Sequence, residues 1–282
     1  MTILVTTPNG KVGSEVIQLL VEQGVPVRVG AHTVEKAAKA FPGADIVHFD
    51  YADAASIEAA LVGVTTLYFA VPGDMSLEPQ LRVLELAQAA GVKRVVRLSA
   101  MGVENTDSAL RQIEQAIEAS AFEWTILRPT FFMQNFSTGS AYSIAHGTLA
   151  EPSGDGKTGF IDARDIAAVA VKALTEDGHH GQAYALTGGR VFSRYEVAAA
   201  IAEVIGQPVQ YIPLTDEQFR EGMKAYMSPV YIEILSGIYG SVRAGWTEVV
   251  SDNVPNILGR PARTLEQFVQ DHRAVWVQLQ TA

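Results

Sequence analysis

Short runs of β-branched and aliphatic residues alternate with stretches of helical periodicity through the first half of the chain. Apolar runs at 2–6, 26–30, 45–49, 65–70, 94–99 and 124–127 predict strands. Between the first two, Val12, Val16, Leu19 and Leu20 recur at helical spacing, and Gly24 supplies a stop signal. Strand and helix in strict alternation predict βαβ units, hence an α/β fold built on a doubly wound parallel sheet of Rossmann type.

Past residue 129 the pattern changes. Residues 131–146 are rich in aromatics and predict helix, and 151–159 read as a polar, glycine-containing loop. Asp162 then precedes a helical pattern carried by Ile166, Val169, Ala170 and Ala173, and 184–187 read as a late strand. A dinucleotide-binding core over 1–129 and a smaller, interwoven substrate lobe over 130–282 follow, with about 157–190 returning to the sheet. Three pairs, Ser193/Glu196, Thr215/Gln218 and Thr264/Gln267, have the spacing of capping boxes and mark later helix starts.

Composition narrows the partners. With 282 residues, 48% of them apolar, the chain has ample material for a full sheet and a second lobe. It has no cysteine, which removes disulfides, thiolate metal sites and thiol nucleophiles and suits a reducing, cytoplasmic setting. No leader and no apolar run of membrane-spanning length is legible, so no membrane partner is expected. The formal net charge of -10, without a dense basic cluster, argues against nucleic acid. The six histidines offer no zinc spacing, and no metal site is expected.

The chemistry-bearing motif opens the chain. Residues 3–13 run from strand to helix with Thr7, Asn9, Gly10, Lys11, Val12 and Gly13 where a dinucleotide fingerprint sits. Gly10 lets backbone approach a pyrophosphate favoured by the helix N-terminus, and Gly13 lets that helix pack on the sheet. Thr7 occupies the place of the first glycine, and a β-branched residue resists the positive φ of a tight turn. The bland alternative is a strand-to-helix turn whose glycines serve packing alone. The second strand ends without the acidic residue that holds the ribose hydroxyls of NAD; His32 and Lys36 are there instead, which favours NADP(H) over NAD(H).

These features, with residues 111–114 (Arg-Gln-Ile-Glu), 124–129 (Trp-Thr-Ile-Leu-Arg-Pro), 131–135 (Phe-Phe-Met-Gln-Asn) and 264–268 (Thr-Leu-Glu-Gln-Phe), resemble the NmrA-like branch of atypical short-chain dehydrogenases/reductases over nearly the whole chain. The resemblance implies that Gly10, Lys11 and Val12 meet the pyrophosphate. It places His32 and Lys36 at the adenosine phosphate, Asp50 and Tyr51 at the adenine, Ala70, Val71 and Pro72 at the ribose, and Pro129, Thr130 and Phe131 at the nicotinamide. Relatives in this branch include quinone and dye reductases, polyketide-tailoring enzymes and cofactor-sensing regulators.

The chain departs from the short-chain dehydrogenase pattern in its acid. That pattern uses a tyrosine whose pKa a lysine four residues later lowers, and none of the nine tyrosines has this partner. Arg111 stands where many relatives carry lysine and retains positive charge without a transferable proton. Ser99, at the end of the fifth strand, is placed to hydrogen-bond a substrate carbonyl, or is an ordinary strand-end hydroxyl. Phe132, Tyr226 and Tyr231, in an unusually aromatic setting, suit a flat ligand, with Gln134 and Asn135 as polar contacts; core or dimer packing is the plainer reading. The expected activity is NAD(P)H-dependent reduction of a quinone, ketone or other conjugated aromatic molecule by a chain that forms a homodimer. A non-catalytic NAD(P)-sensing regulator and an oxygen-dependent aromatic tailoring enzyme are the alternatives.

Overall fold

The computed structural model describes residues 1–73 and 75–280. Among them, seven strands form one sheet: β1 (Ile3–Val5), β2 (Val27–Ala31), β3 (Asp45–His48), β4 (Thr66–Phe69), β5 (Arg94–Leu98), β6 (Glu123–Pro129) and β7 (Gln182–Leu186). Their order is β3-β2-β1-β4-β5-β6-β7, and every neighbouring pair is parallel. The chain starts in the middle, winds to one edge and returns to wind the other way. The strand order reverses between β1 and β4, the switch point beyond whose carboxyl ends such sheets bind ligands.

Both faces are covered, which is why the central strands β1 and β4 are buried along their whole length. The helices are α1 (Gly13–Glu22), α2 (Val34–Ala40), α3 (Ala54–Leu61), α4 (Leu77–Ala89), α5 (Ala109–Glu118) and α6 (Ala163–Thr175). Leu4, Leu67, Phe69 and Val95 point to one face and pack with Ile57 of α3, Val83 of α4 and Ile113 of α5. Ile3 and Val5 alternate with Leu4 and serve the other face, where α1 lies against α6 with Val16, Ile17, Leu20, Ile166 and Val169 buried. Each such aliphatic side chain contributes about 1.5–3 kcal/mol by leaving water.

Boundaries moved where a polar residue hid an element. β6 begins at Glu123, whose carboxylate pairs with Arg94 at the start of β5, so a charged strand end looked like loop. The helical pattern at 131–146 resolves into two short helices, Gln134–Ser137 and Ala141–Ala145. Between them Thr138 leaves helical geometry and turns its hydroxyl back to the Gln134 carbonyl at 2.7 Å. Within the glycine-containing stretch, Lys157–Thr158 pairs antiparallel with Phe192–Ser193.

The chain divides into two units: Met1–Pro129 with Ala163–Leu186, which carries the sheet, and Thr130–Asp162 with Thr187–Ala282. The second unit has its own core of Phe136, Phe160, Phe268 and Trp276 with Val197 and Ile201, and the Trp276 indole donates to the Phe136 carbonyl at 2.9 Å. All three capping boxes form, with both reciprocal hydrogen bonds present at Ser193, Thr215 and Thr264. Such a cap contributes about 1 kcal/mol.

Candidate functional site

The loop leaving β1 makes its tight turn with a threonine. Thr7 has φ +53°, and among the described residues it is the one non-glycine with positive φ. A β-branched residue there costs on the order of 1–3 kcal/mol. Two bonds hold the turn: the Thr7 hydroxyl donates to the Thr6 carbonyl at 2.7 Å, and the Gly10 amide donates to the Thr7 carbonyl at 3.0 Å. The loop therefore keeps the conformation a glycine would adopt, with strain in place of reshaping. A β-carbon at Gly10 would stand 3.2 Å from the Thr7 carbonyl oxygen, and one at Gly13 would stand 2.4 Å from it.

Helix α1 starts bare. Val12 is its N-cap and offers no side-chain cap, while the Ser14 amide and hydroxyl both return to the Gly10 carbonyl. The amides of Lys11, Val12 and Gly13 meet no acceptor among the described residues. Free donors at a helix N-terminus favour an anion. Lys11 is exposed, yet enough protein crowds its ammonium for desolvation to lower its pKa. An anion beside it would reverse that penalty.

The neighbouring strand ends form a second wall. The buried Thr6 hydroxyl donates to the Ala70 carbonyl at 2.7 Å and accepts from the Ala70 amide at 3.0 Å, which ties the end of β1 to the end of β4. Val71 and Pro72 continue outward from this knot. The Tyr51 hydroxyl donates to the same Ala70 carbonyl at 2.6 Å, and burial pushes its pKa up to about 12. Gly30 admits Phe49, whose ring meets Tyr51 edge-on at 5.0 Å; a β-carbon at Gly30 would come within 3.0 Å of the Phe49 side chain. Asp50 caps its own turn through Ala52 and stands 3.7 Å from His32, which is exposed, as are Lys36 and Asn9. The first unit thus gathers Thr7 to Gly13, His32, Asp50, Tyr51 and Ala70 around the carboxyl ends of β1 to β4.

Beyond β5 and β6 lies a charged knot. Glu114 of α5 is fully buried and takes two bonds from Arg128 (Nε at 3.0 Å, Nη2 at 2.7 Å) and one from Arg111 at 3.0 Å. Burial alone would raise its pKa, but the Arg128 bonds, with help from Ser99 and Arg111, hold it below the ordinary carboxylate value. Arg111 is locked between Glu114 and Glu118, the latter at 2.8 Å. Ser99 is buried beside Glu114, near enough to favour its charged form, although its hydroxyl makes no hydrogen bond of good geometry among the described residues.

Sequence reasoning missed Arg97 and Tyr68. Arg97 is fully buried without a carboxylate partner among the described residues; it donates to Gln80 at 2.9 Å and lies 4.7 Å over the Phe69 ring. Burial lowers its pKa to about 10, so it stays charged at neutral pH. The Tyr68 hydroxyl is buried without a hydrogen-bond partner among the described residues, and desolvation raises its pKa strongly. The available signal was an arginine inside the apolar run of β5.

In the second unit the Thr130 hydroxyl donates to the Gly159 carbonyl at 2.6 Å, and Phe132 bridges Ile161. The Phe131 ring lies 6.3 Å from Phe160 and 6.0 Å from Tyr239. Gln134 is buried and donates to Asp162 at 2.8 Å, and the Asn135 carbonyl accepts from the Ser140 amide, so both residues shape the local chain. Tyr231 is half-buried and Tyr226 exposed. A second missed arginine, Arg194, is fully buried, bonded to Glu151 at 3.1 Å and Thr158 at 2.6 Å, with its guanidinium 4.7 Å from Phe160. Its position directly after a capping serine gave no sign of burial.

Comparison with known proteins agrees with this architecture. The NmrA-like family model matches residues 1–243. An NAD(P)H azoreductase of Xenophilus azovorans is 34% identical, covering 97% of this chain and 99% of that one. The triphenylmethane reductase of Citrobacter sp., solved with NADP(H), superposes with a TM-score of 0.83 at 26% identity over 97% of this chain and all of that one. An NADPH-dependent quinone oxidoreductase of Escherichia coli superposes with a TM-score of 0.82 at 25% identity over 96% and 99% of the two chains. A family model matched over residues 1–243, a relative 34% identical over nearly the full length of both chains, and a seven-stranded parallel sheet shared with the reductase structures show that the chain belongs to the NmrA-like family.

Proposed function

We propose that the protein is an NAD(P)H-dependent reductase of conjugated aromatic acceptors, quinones foremost, that uses NADP(H) in preference to NAD(H). One observation carries the reading: the loop after β1 keeps a phosphate-cradle geometry at the expense of a strained Thr7, with three unclaimed amides and a desolvated Lys11 around it. Backbone strain of this kind persists where a function needs the geometry.

The residues fit a dinucleotide. The amides of Lys11 to Gly13 and the Lys11 ammonium hold the pyrophosphate, with Gly10 allowing close approach. Tyr51 and Asp50 border the adenine, Ala70, Val71 and Pro72 the ribose, and His32 with Lys36 supplies positive charge for a 2′-phosphate. When bound, the cofactor supplies a hydride. A quinone that takes a hydride and one proton becomes a hydroquinone, and its intermediate oxyanion is delocalised, so no strong acid is required. That chemistry matches a chain without the tyrosine–lysine pair. Ser99, whose buried hydroxyl has no hydrogen-bond partner among the described residues, is the donor to the acceptor oxygen in this reading, and solvent supplies the proton. Arg111 and Arg128 keep Glu114 charged and fixed, which makes Arg111 a positioning residue. Phe131, Phe160 and Tyr239 offer flat apolar surface of the kind that favours an aromatic acceptor. A cysteine-free chain suits the reducing cytoplasm, and an exposed apolar helix face in the second unit suits a homodimer.

The test is to mix the protein with NADPH or NADH and a quinone, an azo dye or a triphenylmethane dye under nitrogen, and follow the reduced-nicotinamide absorbance. Quinone-dependent oxidation, faster with NADPH, is expected. Nucleotide binding with no acceptor-dependent oxidation across the panel contradicts the proposal.

A further inference from the structure

The helix Pro229–Arg243 of the second unit buries one side, through Ile232, Ser236 and Val242, and leaves the other bare. Val230 (68% exposed), Ile234 (40%) and Ile238 (40%) form an i, i+4, i+8 stripe along the bare side. Tyr226 (81%) lies just before the helix and Trp246 (72%) just after it. An aromatic side chain carries about 150–250 Å², so these two bare about 300 Å² by themselves. With the aliphatic stripe the total reaches about 600 Å² per copy, the upper end of what a monomer exposes in one patch.

Gly237 lies within this stripe. It is exposed in the middle of a 15-residue helix, where glycine is less favourable than alanine because it costs more backbone entropy. A β-carbon there would meet nothing within 4 Å, so no packing inside the described chain calls for its absence. A mid-helix glycine flanked by Ile234 and Ile238 is explained by another helix approaching closely across that face. The charges on the helix do not oppose this: Glu233 is paired with Arg220 at 3.0 Å and Arg243 with Asp216 at 2.7 Å.

We propose that this face is the two-fold interface between two copies of the chain, with the helices antiparallel and the axis near residues 235–236. The pattern is self-complementary about that point. Ile234 of one copy falls against Gly237 and Ile238 of the other, a large side chain into the gap left by a missing one. Tyr226 and Trp246 lie equally far from the centre, so the aromatic end of one copy meets the opposite aromatic end of the other. Two faces of about 600 Å² bury about 1,200 Å², the lower bound of a specific interface, with a dissociation constant of about micromolar order. A C2 arrangement needs one self-matching surface, and a closed pair leaves no edge for further growth.

The absence of cysteine makes the test clean. Light scattering on the full chain over a concentration series should show a dimer that dissociates on dilution. Ile234→Cys, the sole thiol of its chain, should cross-link to itself with a short thiol reagent, and Tyr142→Cys, an exposed position elsewhere in the unit, should not. Ile234→Glu, or Val230→Lys as a second surface variant, should raise the dissociation constant at least about a hundredfold, with thermal unfolding and KM for a quinone unchanged. A monomeric mass up to about 100 µM, a hundredfold above that dissociation constant, overturns the proposal. So does a dimer that survives Ile234→Glu. A monomer whose Ile234→Glu form loses affinity for the aromatic acceptor overturns it as well and assigns the face to substrate.

Discussion

Gly13 sits so close under Thr7 that a β-carbon at Gly13 would stand 2.4 Å from the Thr7 carbonyl oxygen. The helix start and the strained turn are therefore one object. Thr7→Gly removes the strain while adding chain entropy to the unfolded state, and the expected net gain is about 1 kcal/mol. Gly13→Ala must push α1 away from the strand end, with an expected loss of about 1–3 kcal/mol. Urea unfolding of the two variants reads both signs; a destabilised Thr7→Gly would show that the turn is not strained.

Lys11 stands near the unclaimed amides without belonging to the core. Lys11→Gln is expected to weaken NADPH binding by about tenfold, the loss of one charge-assisted contact, and to flatten the dependence of binding on salt. The unfolding midpoint should not move. Fluorescence titration at two ionic strengths measures both.

Cofactor choice rests on His32 and Lys36. The double change His32→Ser with Lys36→Ala is expected to lower the NADPH-to-NADH preference by about tenfold, because a 2′-phosphate then loses its cations while the ribose diol loses little. The ratio of kcat/KM values for the two cofactors reports it.

Glu114 gives the protein an acid limit. Its folded pKa lies below the ordinary value, so its contribution to stability is fully present above about pH 4.3, the unfolded carboxylate value, and is lost as pH falls through the folded pKa. Glu114→Gln should flatten that acid limb and cost about 3–5 kcal/mol at neutral pH, since Arg128 and Arg111 lose a buried partner. Unfolding free energy measured against pH in both proteins tests the sign.

The sheet was legible because strands covered on both faces are mainly apolar: the runs that hold Leu4, Leu67 and Val95 announce themselves. The capping boxes were equally plain, since each is a local exchange of two bonds. The Thr7 turn was legible as a conflict, and only coordinates show that the backbone keeps the positive φ. Of the buried cations, Arg97 left one trace, an arginine inside an apolar run, and Arg194 left none. The partners that bury them arrive from distant stretches, Gln80 and Phe69 for Arg97, Glu151 and Thr158 for Arg194, so no local window shows the burial itself. Gln134 was read as a candidate substrate contact because nothing local shows that Asp162 takes its amide. Tyr226 and Trp246 belonged to an aromatic stretch whose exposure depends on how one helix is rotated, a property of packing that no short window of sequence contains.

The central claim is that the strained loop is a cofactor site. Calorimetric titration of NADPH into the unmodified protein and into Gly13→Ala tests it most directly. Saturable one-to-one binding by the first, at least about tenfold weaker in the second, is the expected result. A folded protein that gives no binding heat with either NADPH or NADH would contradict it.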